Sequence, residues 1–200
     1  MKEPAVFIVD DDAAVRNSLA LLMKSAGYPA ILFDSAAAFL AGFKDTQPGC
    51  LLLDVRMPGL SGPDLQRELN ARRATIPVIF MSGHADVPMA VEAMRCGAFD
   101  FVQKPFRDRE LLERVERALK ADRATRAGLD ARQVAQERLQ SLSPREREVM
   151  ERVTTGESNK IIAFRLGISQ RTVEIHRARV MEKLDARSVA DLVHLTVAAQ

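Results

Sequence analysis

The chain has 200 residues, 47% of them hydrophobic, and a formal net charge of +2. That allows one large domain or two small ones with ordinary cores, and it excludes a strongly polyanionic or polybasic chain. No apolar run reaches the length of a membrane span and the first residues lack the long apolar stretch of a signal peptide, so the expected location is cytoplasmic, with no membrane partner.

The net charge hides a gradient. Residues 1–120 hold 15 Lys and Arg against 16 Asp and Glu, whereas residues 121–200 hold 14 against 11. Within 158–187 the count is 7 against 3, a bias suited to an anionic partner such as nucleic acid. The two cysteines, Cys50 and Cys96, have no metal-like spacing and read as core thiols of a reducing compartment.

Apolar runs at Ala5–Val9, Ala30–Phe33, Cys50–Leu53, Val78–Met81 and Phe99–Val102 predict strands. They alternate with helical patterns over about 13–26, 35–43, 61–72, 86–96 and 107–120. Gly27 and Gly97 stand where helices stop, and Ser35 and Ser61 where helices start. Five such repeats predict a parallel sheet covered by helices on both faces, with continuous rather than alternating hydrophobicity in each strand.

Residues 121–141 are rich in Ala, Arg and Gln, which predicts that the fifth helix continues as a linker helix, frayed at Gly128; a flexible coil is the alternative. From Leu142 the pattern is wholly helical. Ser143, Pro144 and Glu146 form a capping-box signature. Gly156 and Gly167 end two helices, and Ser169 and Ser188 open the last two. Short helices joined by a Gly-containing turn predict a helix-turn-helix within a small four-helix domain.

Functional groups of an open parallel sheet gather beyond the carboxyl ends of its strands. Here Asp10, Asp11 and Asp12 follow the first strand, Asp54 the third, Ser82 and Gly83 the fourth, and Lys104 and Pro105 the fifth. In the order 2-1-3-4-5 the first and third strands are neighbours, so Asp11 and Asp54 can meet. Clustered carboxylates suit a hard divalent cation such as Mg²⁺. A carboxylate also accepts a phosphoryl group, and a lysine ammonium, a cation and a serine hydroxyl balance the charge on its oxygens. Asp54, at the tip of the central strand, is best placed as acceptor.

Residues 1–120 resemble the receiver domain of two-component response regulators, on "VDDD" 9–12, "LLLDVRMPGLSG" 51–62, "MSGHAD" 81–86 and "FDFVQKPF" 99–106. The resemblance implies a flavodoxin-like fold, Asp54 as phosphoacceptor and Mg²⁺ held by Asp11, Asp54 and the backbone carbonyl of Arg56, with Asp10 acting through water. It further implies Ser82 as switch hydroxyl, Lys104 as phosphoryl ligand, a cis Lys104–Pro105 peptide and Phe101 as the switching aromatic. The run "VPMAVEAM" 87–94 is apolar nearly all round; core packing takes most of it, and the excess is expected to make the fourth helix and fifth strand a dimer surface, with Val91 and Arg95 on it. His84 is expected to be an ordinary loop residue.

Residues 142–200 resemble the LuxR-type DNA-binding domain, on "LSPREREVM" 142–150, "GESNKIIAFRLGIS" 156–169 and "RTVEIHRARVMEKL" 171–184. The two parts together are similar to NarL/FixJ-class regulators, most of all the FixJ type. On the third helix of this part, Val173, Val180 and Leu184 fall at core spacing, while Glu174, Ile175 and Ala178 fall on the opposing face where side chains can reach base edges. Lys160, Thr172, Arg177, Arg179 and Lys183 suit phosphates. Val189, Leu192, Val193 and Val197 form an apolar stripe on the last helix, part core and part pairing surface.

The expected function is therefore a phosphorylation-controlled transcription regulator, with a receiver at 1–120, a linker at 121–141 and a DNA-binding domain at 142–200. It is expected not to be an enzyme beyond its own phosphoryl transfer and slow dephosphorylation. The partners implied are a sensor histidine kinase, double-stranded DNA and a second copy of the chain on phosphorylation, with RNA polymerase a further candidate. Two rival readings stand beside this: a Mg²⁺-dependent phosphatase with Asp10 as nucleophile and Asp12 as acid, and a receiver that signals by protein binding without phosphorylation.

Overall fold

The five unbroken apolar runs form the sheet. In the computed structural model, which describes residues 3–83 and 87–199, β1 is Ala5–Val9, β2 Ala30–Phe33, β3 Gly49–Asp54, β4 Val78–Ser82 and β5 Asp100–Gln103. They pair in parallel in the order β2-β1-β3-β4-β5, with Val9 beside Leu53 and Asp54 beside Met81. This is the expected topology, and it brings the carboxyl ends of β1 and β3 together at the centre of one edge. The last strand starts one residue later than expected: Phe99 lies in the lead-in, where its amide donates to the Val78 carbonyl at 2.8 Å and its ring packs into the sheet's core.

The helices between the strands are α1 (Ala13–Ser25), α2 (Ala36–Gly42), α3 (Gly62–Ala71), α4 (Val87–Arg95) and α5 (Asp108–Gln140). Strand side chains alternate between the two faces, so β1 and β3 feed two cores. Phe7, Val9, Leu51 and Leu53 pack with Phe39, Leu65, Leu69 and Ala93 of α2, α3 and α4. Val6, Ile8, Cys50 and Leu52 pack with Leu19, Met23, Leu111 and Val115 of α1 and α5. Each fully buried Leu or Ile adds about 1.5–3 kcal/mol of transfer free energy, so both faces are needed to hold the central strands. Cys50 is buried as expected, and burial pushes its thiol far up, with the nearby Asp122 carboxylate acting the same way. Cys96 is only half-buried, at the end of α4 rather than in the core.

The chain divides into two compact units, residues 1–126 and 127–200. The division falls inside α5, which runs without interruption through Gly128. The fraying expected there does not occur. A single glycine costs about 1 kcal/mol in a helix, and packing on either side outweighs it. In the first unit Asp122, 1% exposed, accepts from the Gly49 amide at 2.9 Å and pairs with Arg126 at 2.9 Å. Arg126 also donates to the carbonyls of Asp45 and Gln47, both at 2.8 Å. On the other side Ala135 is buried, Leu139 joins the second unit's core, and Arg138 donates to the Leu184 carbonyl.

The second unit consists of the end of α5 with α6 (Pro144–Thr154), α7 (Asn159–Leu166), α8 (Gln170–Lys183) and α9 (Val189–Ala198). Ser143, Ser169 and Ser188 cap α6, α8 and α9, and the Ser143–Glu146 capping box forms as expected. Gly167, at φ 64°, turns the chain between α7 and α8 in a left-handed conformation that a side chain would disfavour. Among the described residues, no helix is long and apolar enough to cross a membrane.

Candidate functional site

The end of β1 separates its three aspartates by role. Asp12 caps α1, accepting from the amide of Ala14 at 2.8 Å. Asp10 is 1% exposed, its Oδ1 accepting from the Asp12 amide at 3.0 Å and its Oδ2 from the Lys104 ammonium at 2.6 Å. Asp11 is exposed, and no hydrogen bond or ion pair holds its carboxylate among the described residues.

Asp54 ends β3. Its Oδ1 accepts from Lys104 Nζ at 2.7 Å and its Oδ2 from the Arg56 amide at 2.7 Å. Behind it, α3 approaches so closely that a Cβ on Gly62 would lie 2.4 Å from the Asp54 carbonyl oxygen. Gly62 therefore lets the helix seat against the Asp54 loop, where its amide donates to the Val55 carbonyl at 3.1 Å.

Lys104 arrives from the far side of the sheet. The Lys104–Pro105 peptide is cis, as the resemblance implied, and the Lys104 amide donates to the Ser82 carbonyl at 2.8 Å. Burial lowers the basicity of the ammonium, but the hydrogen bonds and charges of Asp10 and Asp54 outweigh it and leave the group raised. Ser82 is buried at the end of β4. Phe101 is half-buried on β5, beside Phe80 and against the core that β3 shares with α3 and α4. Asp10, Asp54, Ser82 and Lys104 thus come together from four strand ends.

The donor chemistry fits Mg²⁺. The groups facing this edge are carboxylate and carbonyl oxygens, with no imidazole or thiolate among the described residues to favour a softer ion. The aspartates do not close into a cage of three acidic side chains. Mg²⁺ is commonly held by one or two carboxylates with waters and phosphate oxygens, and Asp11, Asp54 and the Arg56 carbonyl are the groups that would hold it.

On α4, Val91 and Arg95 are exposed as expected. With Ala90 and Met94 they line an open depression of about 450 Å³. Met94, 48% exposed, was not in the sequence reading, although it lies one turn beyond Val91. His84 lies outside the described residues.

In the second unit, Val173, Val180 and Leu184 are buried. Glu174, Ile175, Ala178 and Arg179 are exposed on α8, and Lys160 is exposed on α7. Arg171, also exposed, precedes them by one turn and was missed, although its i, i+3, i+4 spacing to Glu174 and Ile175 marks the same face. Thr172 is half-buried, its hydroxyl 2.8 Å from that of Ser169, and Arg177 donates to Asn159 Oδ1 at 2.7 Å. Lys183 departs from the expected phosphate set. Its ammonium donates to Glu146 Oε2 at 2.7 Å and to the Ser141 carbonyl at 3.3 Å, so it ties the end of α8 to the capping box of α6. The Lys183 hydrogen bond, then the Ser143 amide, pull Glu146 down to about 2. His176 is half-buried, with a shielded Nδ1 that lacks a hydrogen-bond partner. On α9 only Leu192 of the apolar stripe is buried; Val189, Val193 and Val197 are exposed.

Comparison with known proteins bears on both units. Residues 6–116 match the response regulator receiver domain, and residues 140–196 match the bacterial regulatory proteins of the luxR family. The chain belongs to the response regulators with a LuxR-type DNA-binding domain. This response regulator is 47% identical to the transcriptional regulatory protein FixJ of Bradyrhizobium diazoefficiens, over 97% of this chain and 95% of that one. It is 46% identical to nodulation protein W of the same organism, over 96% and 84%. Among solved structures, the response regulator StyR aligns with a TM-score of 0.91 at 42% identity, over 98% of this chain and 99% of that one. Full-length FixJ from B. japonicum aligns with a TM-score of 0.60 at 44% identity, over 100% and 98%. The chain is thus a FixJ-like transcriptional regulator, whose receiver family implies a sensor kinase partner and whose output family implies DNA binding.

Proposed function

We propose that Asp54 receives a phosphoryl group from a phosphohistidine of a sensor histidine kinase, and that this modification controls dimerisation and sequence-specific DNA binding. The observation that carries the reading is Lys104 Nζ at 2.7 Å from Asp54 Oδ1, a cation already placed beside the accepting oxygen.

In this mechanism an Asp54 carboxylate oxygen attacks phosphorus, a P–O bond forms, the P–N bond breaks, and the departing imidazole takes up a proton. Lys104 leaves its ion pair with Asp54 and follows the negative charge onto the phosphoryl oxygens. Ser82 turns its hydroxyl to one of those oxygens, and Phe101 repacks on β5. Asp11, Asp54 and the Arg56 carbonyl would hold Mg²⁺, with Asp10 acting through water, and the ion would supply charge neutralisation. Phosphorylation thereby shifts a pre-existing equilibrium toward a receiver that pairs through α4, at Val91, Met94 and Arg95.

Two DNA-binding units brought together read a two-fold-related site. The α8 helix enters the major groove, where Glu174, Ile175 and Ala178 face base edges and Lys160, Thr172, Arg177 and Arg179 serve the phosphates. We assign no turnover chemistry beyond self-phosphorylation and slow dephosphorylation, place the protein in the cytoplasm, and name RNA polymerase as the downstream partner of the DNA-bound dimer.

Sedimentation of wild type and Asp54→Asn with and without acetyl phosphate and Mg²⁺ tests this reading. Wild type is expected to shift to dimer on treatment and the variant to stay unchanged. Equal dimerisation of the two would overturn it.

A further inference from the structure

A cavity of about 390 Å³ lies in the first unit at the amino ends of β4 and β5, the end of the sheet opposite Asp54. It is lined by α3, by the loops leading into β4 and β5, and by Ala121 and Thr125 of α5. Its volume is that of a small-molecule site. None of its lining side chains is ionisable, in a chain where 28% of residues are charged. A charged ligand would find no counter-charge there.

A chain of amides runs along one wall. Asn70 Nδ2 donates to the Cys96 carbonyl at 2.7 Å, and because a carbonyl only accepts, this sets which end of the Asn70 amide is nitrogen. Asn70 Oδ1 then accepts from Gln66 Nε2 at 3.0 Å. Gln66 Oε1 is left at the end of the chain. The residue is 3% exposed, and this oxygen is buried without a donor. Buried acceptors without partners are rare in folded proteins. Gln66 also lines the cavity, so a donor seated there with a small shift of the side chain would complete the chain.

We propose that this cavity binds an uncharged small molecule that carries an N–H or O–H donor, and that the donor is received by Gln66 Oε1. The lining explains the absence of charge, the unpaired oxygen explains the donor, and the volume sets the size. Such a ligand contacts Ala98 and Phe99, which lead into β5, together with the α5 residues Ala121 and Thr125.

Benzamide, a phenyl ring carrying an N–H donor, is the probe; benzoate, the same size but charged and without that donor, and toluene, which has neither charge nor donor, are the comparisons. Amide NMR spectra of the full chain are expected to show saturable benzamide shifts at Leu69, Ala98 and Thr125. Benzoate should bind at least about tenfold more weakly. Gln66→Leu should weaken benzamide by about tenfold, the scale of one lost hydrogen bond, and leave toluene binding unchanged. Ala121→Phe, which fills the cavity from α5 and leaves the amide chain intact, should abolish the benzamide shifts even if Gln66→Leu fails to fold. The proposal is overturned if wild type shows no saturable shift at these amides, or if a folded Gln66→Leu protein binds benzamide as wild type does.

Discussion

Lys104 Nζ lies 2.7 Å from Asp54 Oδ1 and at the same time 2.6 Å from Asp10 Oδ2. One ammonium, carried by the strand-end loop after β5, thus balances two carboxylates at the ends of β3 and β1. Two acidic groups this close repel, and the lysine answers that repulsion when no phosphoryl group is present.

Removing the ammonium should therefore destabilise the receiver. Breaking a buried ion pair costs about 3–5 kcal/mol, and Lys104 keeps 21% exposure, so Lys104→Met should cost less, about 2 kcal/mol. Mg²⁺ should raise the melting temperature of both proteins, and more for the variant, whose carboxylates have lost the Lys104 ammonium. Thermal melts with and without Mg²⁺ check this, and equal Mg²⁺ shifts in the two proteins would argue against it.

The Asp122–Arg126 pair makes a similar prediction far from Asp54. Arg126→Ala leaves the buried Asp122 carboxylate with the Gly49 amide as its remaining hydrogen-bond partner. The expected cost is about 3 kcal/mol. Adding Asp122→Asn should recover part of it, because the uncompensated charge is then gone. Urea unfolding of the two variants, followed at the receiver's core, measures the coupling.

Glu146 sets an acid limit on the DNA-binding unit. Its folded pKa is depressed to about 2 from an ordinary value of 4.5, so its contribution is fully present above pH 4.5 and is lost as pH falls through about 2. Lys183→Met should move the Glu146 titration back toward 4.5 and shift acid unfolding of this unit to higher pH. Carboxyl-carbon NMR of Glu146 reads the first, and amide exchange at Val149 and Val153 reads the second.

On α8, exposed residues of different chemistry should give different DNA phenotypes. Arg179→Ala should weaken binding to all sequences alike and reduce the salt slope by about one unit. Ile175→Ala should change preference at one base position, costing about 1–3 kcal/mol of discrimination there. Lys183→Met should leave the salt slope unchanged, since its ammonium is engaged with Glu146. Binding isotherms on a randomised site library at several salt concentrations separate the three.

Much of this was legible in the residues. Unalternating strands with acidic, hydroxyl and lysine groups at their ends mark a parallel sheet and its site, and Ser143 with Glu146 marks a helix start, because these signals are local; the strand order came with the family resemblance. The Gly49–Asp122 hydrogen bond spans 73 residues, and the Glu146–Lys183 pair 37. No periodicity encodes such contacts; they depend on where two elements meet after folding. The same holds for α5 at Gly128, where local propensity suggested fraying and tertiary packing on both sides decided otherwise. Arg171 and Met94 lay within reach of the helical spacing already applied to their neighbours.

The central claim is that Asp54 accepts the phosphoryl group. Intact-mass measurement and peptide mapping after treatment with acetyl phosphate and Mg²⁺ test it most directly. Wild type should gain one phosphoryl group on the peptide that contains Asp54, and Asp54→Asn should gain none. Labelling that persists in Asp54→Asn, or that maps to Asp10, would contradict the account.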